Sequence, residues 1–458
     1  MSTENLGSEM DVFLHAHPDT RFLEMLVTDI NGVLRGKRAV AEEFAKPFGS
    51  GANFSASAVV LDTLGRTFDG IKYGGRDGDP DYRAIAVPGT LVAVPWASQP
   101  TAQVLLDMVE LDDRKPLFYE PRAVLRRAMQ PLLDLGFTPV LATELEFYLV
   151  EHDGKTFKPR TPSIPGSDLP QTGAQYGVMD DLYDVEDLLN DIDHFCAIQK
   201  IPAGAALSEY AAGQFEINLH HVDDPVMACD HAVMLKRAVK AAARDNDMAA
   251  TFMAKPFKDM AGSGLHIHVS LLDADGENVF AGESCDGAFS DTLRHAVAGM
   301  AAIMPESMLV YAPNANSYRR YAPLSYVPSS PNWGPNHRSM ALRIPLSQPH
   351  NTRIEHRVAG ADANPYLVVA TVLAGIHYGI VNRLEPGAMV ETSEEVEHEE
   401  TLPTRWPRAL DVFARGTILR DYFGPEFHEL YHQCRSEEEA SFHSEVGSHD
   451  FEWYLRAV

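Results

Sequence analysis

The sequence predicts a protein of the α+β class with two regions that differ in their predicted secondary structure. Residues 1–115 contain short β-rich pieces separated by turn signals, among them FLEMLVTDING, SASAVVLDTLG and VPGTLVAVPW. From Glu120 onward the pattern changes to amphipathic helices, which need a sheet to cover. With 458 residues, 45% of them hydrophobic, the chain is long enough for large cores. We therefore expect two domains, residues 1–115 and 116–458.

Charge and cysteine content narrow the range of partners. Lys and Arg number 38 against 65 Asp and Glu, a net charge of −27, which argues against nucleic acid and favours small cations and amines. The N-terminal 22 residues have no apolar stretch behind a basic start, so we expect no secretion signal. A cytoplasmic location fits the absence of any CxxC pair among the four cysteines, which are Cys196, Cys229, Cys285 and Cys434.

Several helices are predicted in the second region. The segment PRAVLRRAMQPLLDLG has apolar residues near a 3.6-residue period and closes at Gly136. Residues 185–196 and 233–243 show similar stripes. The uncharged run at residues 363–382 is long enough for a membrane span, but polar residues interrupt it, so we expect a buried helix beginning at Asn364 and Pro365. The acidic residues 391–400 are expected to be solvated.

One strand carries two carboxylates on the same face. In TELEFYLV, Glu144 and Glu146 alternate with apolar residues, so both side chains point to one side of the predicted sheet. Like charges in a cleft need a cation between them or shifted pKa values. A solvent-facing strand edge is the alternative for this segment alone.

Three further segments show the same alternation. On their polar faces they carry, in chain order, Glu216 and Asn218, then His266, His268 and Ser270, then Arg353, Glu355 and Arg357. Glu209 precedes Glu216 across a predicted turn at residues 211–213, and Gly262 and Gly264 suggest close backbone approach to a ligand. Four such strands favour a lined cavity over a solvated sheet.

The polar faces supply a candidate metal site. Its members are Glu144, Glu146, Glu209, Glu216, His266 and Glu355. An oxygen-rich set of this kind suits Mg²⁺ or Mn²⁺, and it exceeds what one such ion takes from protein, so we expect two or more ions. Zinc fits less well because the set is short of nitrogen and sulfur.

Arginines follow the predicted strands closely. They include Arg319, Arg320, Arg338, Arg343, Arg353 and Arg357. Guanidinium groups beside divalent ions suit a transferring phosphoryl group and a carboxylate substrate. No GxxxxGK[ST] loop is present, so bound ATP would not lie on a Walker A turn. A metal-dependent hydrolase using the HxH pair is disfavoured because it would not need so many arginines.

These motifs resemble the glutamine synthetase superfamily, and within it the glutamate-putrescine ligase branch. The likeness covers nearly the whole chain and rests on segments such as IPAGAALSEYAAGQFEINL, AGSGLHIHVS, APNANSYRRYAP and RVAGADANPYLVVA. It implies a small β-grasp N-terminal domain and a catalytic domain with a curved antiparallel sheet covered by helices. It also implies stacked rings of subunits, with active sites between them, and no membrane partner.

The resemblance also implies roles for individual residues. A first metal would be held by Glu146, Glu209 and Glu216, and a second by Glu144, His266 and Glu355. Arg320 would bind the α-carboxylate of glutamate and Arg357 would face its γ-carboxylate, with the Gly262 backbone helping to seat the amino acid. Arg338 and Arg343 would contact the phosphates of ATP. The side chains near the rest of the nucleotide would be those of His268, Ser270 and Arg353.

Two positions depart from the ammonia-using relatives, and a third matches them within a motif that is otherwise lost. Tyr326, in LSYVP, stands where they carry a glutamate that helps bind ammonium, so the resemblance implies a pocket rebuilt for an alkylamine. Asp69, in RTFDGIKYGG, matches their other ammonium-pocket carboxylate, and it is a candidate general base or an ordinary turn residue. Ala261 replaces an asparagine that contacts glutamate in those enzymes.

The implied reaction joins the γ-carboxylate of glutamate to an amine through γ-glutamyl phosphate, at the expense of ATP. Putrescine or another polyamine is the favoured acceptor. Methylamine, ethanolamine or an aromatic amine is the alternative, and ammonia comes after these. A non-catalytic structural oligomer is a further alternative, but it would not need all six proposed metal ligands.

Overall fold

The computed structural model describes residues 3–152, 154–167, 169–171, 176–282, 289–321, 326–390 and 401–458. It contains both helices and sheets, as the α+β prediction requires. The acidic run at residues 391–400 and Cys285 lie outside the described residues. The remaining cysteines, Cys196, Cys229 and Cys434, are free and buried.

The N-terminal region is built on one sheet. Its elements are α1 (Thr3–Ala16), β1 (Phe22–Thr28), β2 (Leu34–Val40), α2 (Ala45–Phe48), β3 (Ala52–Ser55), β4 (Asp81–Ala86), β5 (Val92–Ala93) and β6 (Thr101–Val109). The strand order is β2-β1-β6-β4-β3, with β5 also paired to β6 and with β1 parallel to β6. The segment SASAVV is only briefly a strand, because Ala56–Val59 forms a 3-10 turn. The proposed domain boundary falls between β6 and the next helix.

The larger region follows from residue 121. Its helices are α3 (Pro121–Asp134), α4 (Met179–Tyr183), α5 (Glu186–Ile198), α6 (Pro225–Asp245), α7 (Asp291–Tyr311), α8 (Pro365–Asn382), α9 (Trp406–Arg415), α10 (Ile418–Phe423), α11 (Pro425–Ser444) and α12 (Ser448–Tyr454). Its strands are β7 (Thr138–His152), β8 (Phe157–Pro159), β9 (Ala203–Ser208), β10 (Gln214–Leu219), β11 (Ala249–Thr251), β12 (Leu265–Leu272), β13 (Trp333–Pro335), β14 (Leu342–Ile344) and β15 (Ile354–His356).

The sequence patterns locate the main helices correctly. Helix α3 buries Val124, Leu125, Ala128 and Leu132, and the chain leaves it at Gly136, whose φ is +81°. Leu133 and Leu135, which the periodic pattern included, are exposed. Helix α6 begins eight residues before the predicted stripe and ends two residues after it.

Helix α8 is the core helix that the uncharged run predicts. The Asn364 side chain caps it by accepting hydrogen bonds from the backbone amides of Tyr366 and Leu367. By length and composition it alone among the described helices passes the test for a membrane span, but 72% of that stretch is buried inside the protein. Glycines on both helices let α7 and α8 approach closely, since a Cβ at Gly299 of α7 would lie 2.1 Å from the Gly375 carbonyl oxygen and one at Gly379 of α8 would lie 1.9 Å from that of His295.

The large sheet carries the polar strands side by side. Among the described residues its main order is β13-β14-β15-β12-β7-β10-β9, with every neighbouring pair antiparallel except β13 and β14. Its apolar face packs on the helices, so Leu145, Ile267 and Ile354 are all buried. The opposite face is therefore the one that positions the candidate site.

Candidate active site

Strand register brings the predicted acidic residues together. Glu144 on β7 pairs with His266 on β12, and Glu146 pairs with Glu216 on β10. On the far side of β12, His268 pairs with Glu355 of β15. Residues more than 200 positions apart thus share one surface of the sheet.

The first proposed ligand set is a compact group. Ligand oxygens of Glu146, Glu209 and Glu216 lie within 4.8 Å of one another, and these three glutamates are here called the acidic trio. Glu209 enters from the turn that connects β9 to β10. The geometry matches the set that the resemblance implies for one metal ion.

The second set is arranged differently from the expectation. Glu144 and His266 group with Glu216, while Glu144 and Glu355 group with His268. The Nε2 atom of His268 lies 2.8 Å from Oε1 of Glu144, and Nδ1 of His266 lies 3.2 Å from Oε2 of the same carboxylate. His268, which the resemblance placed near the nucleotide, therefore lies within the cluster. Glu144 and Glu355 are here called the paired carboxylates.

Electrostatics separate the two sets. Burial, reinforced by the neighbouring glutamates, raises the pKa of Glu216 to about 9 and that of Glu209 to about 7. Burial would also raise the pKa of Glu355, but His268 and nearby arginines outweigh it and lower the pKa to about 2. The pKa of Glu144 is lowered because hydrogen bonding to the two histidines outweighs its burial. Among the described residues, nearby histidines and arginines thus outweigh burial at Glu355, whereas the charges of Arg338 and Arg357 are too weak to offset burial at Glu209.

The residues present fit divalent cations. Three carboxylates forced together lose their mutual repulsion when a cation lies between them. Beside them on β10, Gln214 Oε1 and Asn218 Oδ1 are buried side-chain oxygens without hydrogen-bond partners among the described residues. Oxygen ligands of this kind, together with one imidazole nitrogen, suit Mg²⁺ or Mn²⁺.

Two of the predicted arginines converge on Glu355. Arg343 Nη1 lies 2.5 Å from one carboxylate oxygen, and Arg357 donates to the other. Arg357 also donates from Nε to the backbone oxygen of Arg338, at 3.0 Å. Arg353 donates to His268 Nδ1 at 3.2 Å, so it supports the cluster from the far side of β12. Ser270 lies further along the same strand, opposite Val140.

Arg338 interacts electrostatically with Glu209 and Glu355, and it also has a partner outside the cluster. Its Nη1 donates to the hydroxyl of Tyr176 at 3.0 Å. Sequence reasoning missed Tyr176 because it lies in a long connection with no periodic pattern. Its proximity to Arg338 arises only from the folded chain.

Arg320 and Gly262, the two residues that the resemblance assigns to glutamate binding, lie side by side, and we call this pair the substrate corner. The Arg320 side chain is buried and donates to the carbonyls of Val358 and Ala359, at 2.8 and 3.0 Å. A Cβ on Gly262 would lie 2.7 Å from Cγ of Arg320, which explains the need for glycine there. The close approach is thus to a protein side chain.

Gln214 is a site residue that the sequence reasoning did not select. Its Nε2 donates to the Gly262 carbonyl at 3.1 Å and lies 3.3 Å from Glu146 Oε2, so it joins the acidic trio to the substrate corner. The signal was available, because Gln214 lies two residues before Glu216 on the same face of β10. Tyr148 makes a similar tie to Ala261, donating to its carbonyl at 2.7 Å.

Two predicted residues are not brought to this cluster. Asp69 is exposed, and its neighbour Gly70 lies against Glu437 of α11. Tyr326 is 70% exposed. Among the described residues of one chain, neither makes a hydrogen bond or ion pair with the carboxylate cluster.

The fold and the cluster define a class of protein. The antiparallel sheet is lined with carboxylates that could hold divalent ions, and arginines border it. Such a site is typical of enzymes that bind phosphate and carboxylate substrates. The family model described as "Glutamine synthetase, catalytic domain" matches residues 118–454. The chain belongs to the glutamine synthetase family and is a ligase, as the sequence motifs predict. Membership implies ATP and a divalent metal.

Full-length relatives include amine ligases. The chain is 42% identical to "Gamma-glutamylputrescine synthetase PuuA" of Escherichia coli (strain K12), over 99% of this chain and 97% of that protein. It is 34% identical to "Glutamate--isopropylamine ligase" of Pseudomonas sp, over 100% of both chains. It is 32% identical to "Gamma-glutamylethanolamide synthetase GlnA4" of Streptomyces coelicolor, over 99% of this chain and 96% of that one.

Solved structures agree on the architecture. The structure titled "Apo GmaS without ligand" has a TM-score of 0.81 and 25% identity, covering 97% of this chain and 99% of the other. A second, titled "GmaS/ADP complex-Conformation 1", has a TM-score of 0.82 at 25% identity, covering 96% of this chain and 98% of the other. The α+β fold with a curved sheet is therefore confirmed.

Proposed function

We propose that this ligase joins the γ-carboxylate of glutamate to a primary amine, with ATP as the energy source and putrescine as the preferred acceptor. The observation that carries the proposal is the acidic trio beside a buried arginine and a glycine corner, in a chain 42% identical to a γ-glutamylputrescine synthetase. The relatives at 34% and 32% identity are named for isopropylamine and ethanolamide, so a small monoamine is the second candidate.

The chain's own residues would divide the work. The acidic trio would hold one divalent ion and Glu144 with His266 and Glu355 the other, and bound Mg²⁺ or Mn²⁺ would neutralise phosphate oxygens of ATP. Arg320, fixed by two backbone carbonyls, would bind the α-carboxylate of glutamate. Arg357 would face the γ-carboxylate, and Glu355 would orient both Arg357 and Arg343. Arg338 and Arg343 would contact ATP phosphates.

The attacking amine needs a base. An unperturbed alkylammonium group has a pKa of about 10.4, so it must lose a proton before attacking γ-glutamyl phosphate. We assign Asp69 as a candidate base. We also assign Tyr326 to the amine pocket, where a neutral side chain in place of a carboxylate would make ammonium bind poorly. Asp69 is exposed and lies outside its own chain's cluster, which supports an active site completed by a neighbouring subunit in stacked rings. The three buried free cysteines suit a reducing cytoplasm.

A panel of amines tests the proposal. ADP release would be measured with glutamate, Mg²⁺ and ATP, together with putrescine, isopropylamine, ethanolamine or ammonia, and each product would be identified by mass. We expect the highest kcat/KM with putrescine and a product equal to glutamate plus the diamine minus water. A best rate with ammonia would contradict the acceptor assignment, and ADP release independent of any amine would contradict ligation itself.

A further inference from the structure

A second charged site lies between the N-terminal sheet and helix α6. It is a groove of about 540 Å³, with β1, β2 and their connecting turn on one wall and α6 on the other, and Trp96 also lines it. It shares no lining residue with the carboxylate cluster. Six cationic residues line it, and we call it the basic groove: Lys37, Arg38, Lys236, Arg237, Lys240 and Arg244.

Positive charge in the basic groove is poorly compensated. Glu24 is the only acidic residue among those lining it, and it pairs with Arg237. Within the described residues, neither the Arg38 nor the Lys240 side chain has an ion pair or hydrogen bond, although Arg38 stands opposite Glu24 in the pairing of β1 with β2. The Arg38 guanidinium lies 3.5 Å from the centre of the Phe22 ring, and Lys240 Nζ lies 5.8 Å from that of Phe252. These cations are concentrated in a protein whose net charge is −27.

Like charges lie close together on α6. Lys236, Lys240 and Arg244 follow one another at four-residue spacing on one face of the helix, and of these three Arg244 alone has an ion pair among the described residues, with Asp245. Lys236 donates to the carbonyls of Ala361 and Ala363, at 2.6 and 3.3 Å. Burial, reinforced by Lys240, lowers the pKa of Lys236 to about 7. A negative group in the groove would remove this penalty.

We propose that the basic groove binds a small anion with at least two negative charges, carried as phosphates or carboxylates. Arg38 on β2 and Lys240 on α6 offer charge from two walls, so a doubly charged ligand would bridge them. The volume is in the usual range for small-molecule sites, and Leu26, Val33 and Trp96 supply apolar surface. The overall negative charge of the protein disfavours a long nucleic acid.

The test compares binding of two probes to the intact protein by calorimetry, without added metal and at matched ionic strength. The probes are pyrophosphate and succinate, one for each source of charge. The variant R38Q/K240Q removes two uncompensated cations, while K46Q/R408Q removes two exposed cations that do not line the groove. Lys236 is left intact because it also holds the backbone near Ala361.

We expect at least one probe to bind the wild type and K46Q/R408Q equally, and R38Q/K240Q about tenfold or more weakly. The probe that binds identifies the phosphate or carboxylate class. Equal binding to all three proteins would place the anion elsewhere and overturn the proposal, as would binding of neither probe. A changed oligomeric state in R38Q/K240Q, without probe binding, would instead make the groove a contact between copies of the chain.

Discussion

The acidic trio and the paired carboxylates lie on the same face of one sheet, yet their electrostatic states are opposite. Glu209 and Glu216 have raised pKa values because burial and neighbouring glutamates both oppose ionisation. Glu355 has a lowered pKa because histidines and arginines surround it. The charges of nearby histidines and arginines outweigh burial at Glu355, whereas those of Arg338 and Arg357 do not outweigh it at Glu209.

This difference indicates which half of the site depends on metal. The paired carboxylates have protein partners that hold them in place, including Arg343 at 2.5 Å. Among the described residues the acidic trio makes no ion pair with an arginine or lysine, and its nearest imidazole, His266 Nε2, lies 3.6 Å from Glu146, so a divalent ion is the group that would offset the repulsion among its carboxylates. Substitutions on the two sides should therefore differ in their effect on activity and stability.

The largest effect is expected from Glu209→Gln. Loss of one charge from the acidic trio removes a proposed metal ligand, and even a supporting partner of such a ligand typically contributes roughly 10- to 100-fold. We expect ADP release with glutamate and putrescine to fall more than about 100-fold. Glu151→Gln is the matched control, since Glu151 lies on β7 but pairs with Lys158 and Arg160. Near-normal activity of Glu209→Gln would exclude Glu209 as a ligand.

A smaller effect is expected from Gly262→Ala. The new methyl group would lie 2.7 Å from both the Ala254 carbonyl oxygen and Cγ of Arg320, so the arginine must move. We expect kcat/KM for glutamate to fall roughly 10- to 100-fold, chiefly through KM, because displacement by about 1 Å disturbs substrate positioning. The KM for ATP should change little.

The control for this substitution is Gly387→Ala, because a Cβ at Gly387 meets nothing within 4 Å. Equal KM values for glutamate in the two variants would show that Arg320 does not position this substrate. A parallel rise in the KM for ATP would instead indicate a general loss of structure.

The smallest effect is a dependence of stability on pH. The pKa values of Glu209 and Glu216 are about 7 and about 9 in the folded protein, above the ordinary 4.5, so the folded state holds these protons more tightly. The metal-free protein should lose stability as pH rises from about 4.5 towards 9. The Tm measured by calorimetry in EDTA should fall on the order of a few degrees between pH 6 and 9, and Mg²⁺ should reduce the fall.

Glu216→Gln provides the comparison, because it cannot ionise and should flatten the pH dependence. By contrast, Glu355, with a pKa of about 2, should contribute stability that is lost only in strong acid. A Tm in EDTA that falls equally in Glu216→Gln and wild type would assign the pH dependence to other groups.

Strand alternation was sufficient to predict most of the cluster, because side-chain direction in a strand is fixed by position. Glu144, Glu146, Glu216 and His266 could be placed in this way. The grouping of His268 with Glu144 could not, since it depends on side-chain rotamers and on the pairing of β7 with β12.

Other features lay beyond any local pattern. Tyr176 reaches Arg338 through a long irregular connection, and only the folded chain reveals that contact. The segment SASAVV turns into a 3-10 helix at Ala56–Val59 although its composition favours a strand, because β propensity depends on the packing around it. The uncharged run of α8 was placed correctly because its Asn-Pro start is a strong local signal.

Anomalous diffraction from crystals soaked in Mn²⁺ tests the central claim most directly. The account predicts one anomalous peak among Glu146, Glu209 and Glu216 and another beside Glu144, with His266 or His268 and Glu355 as its neighbours. Crystals of Glu209→Gln should lose or weaken the first peak and retain the second. Carboxylates of the acidic trio bound only to water, with no anomalous peak among them at saturating Mn²⁺, would contradict the account.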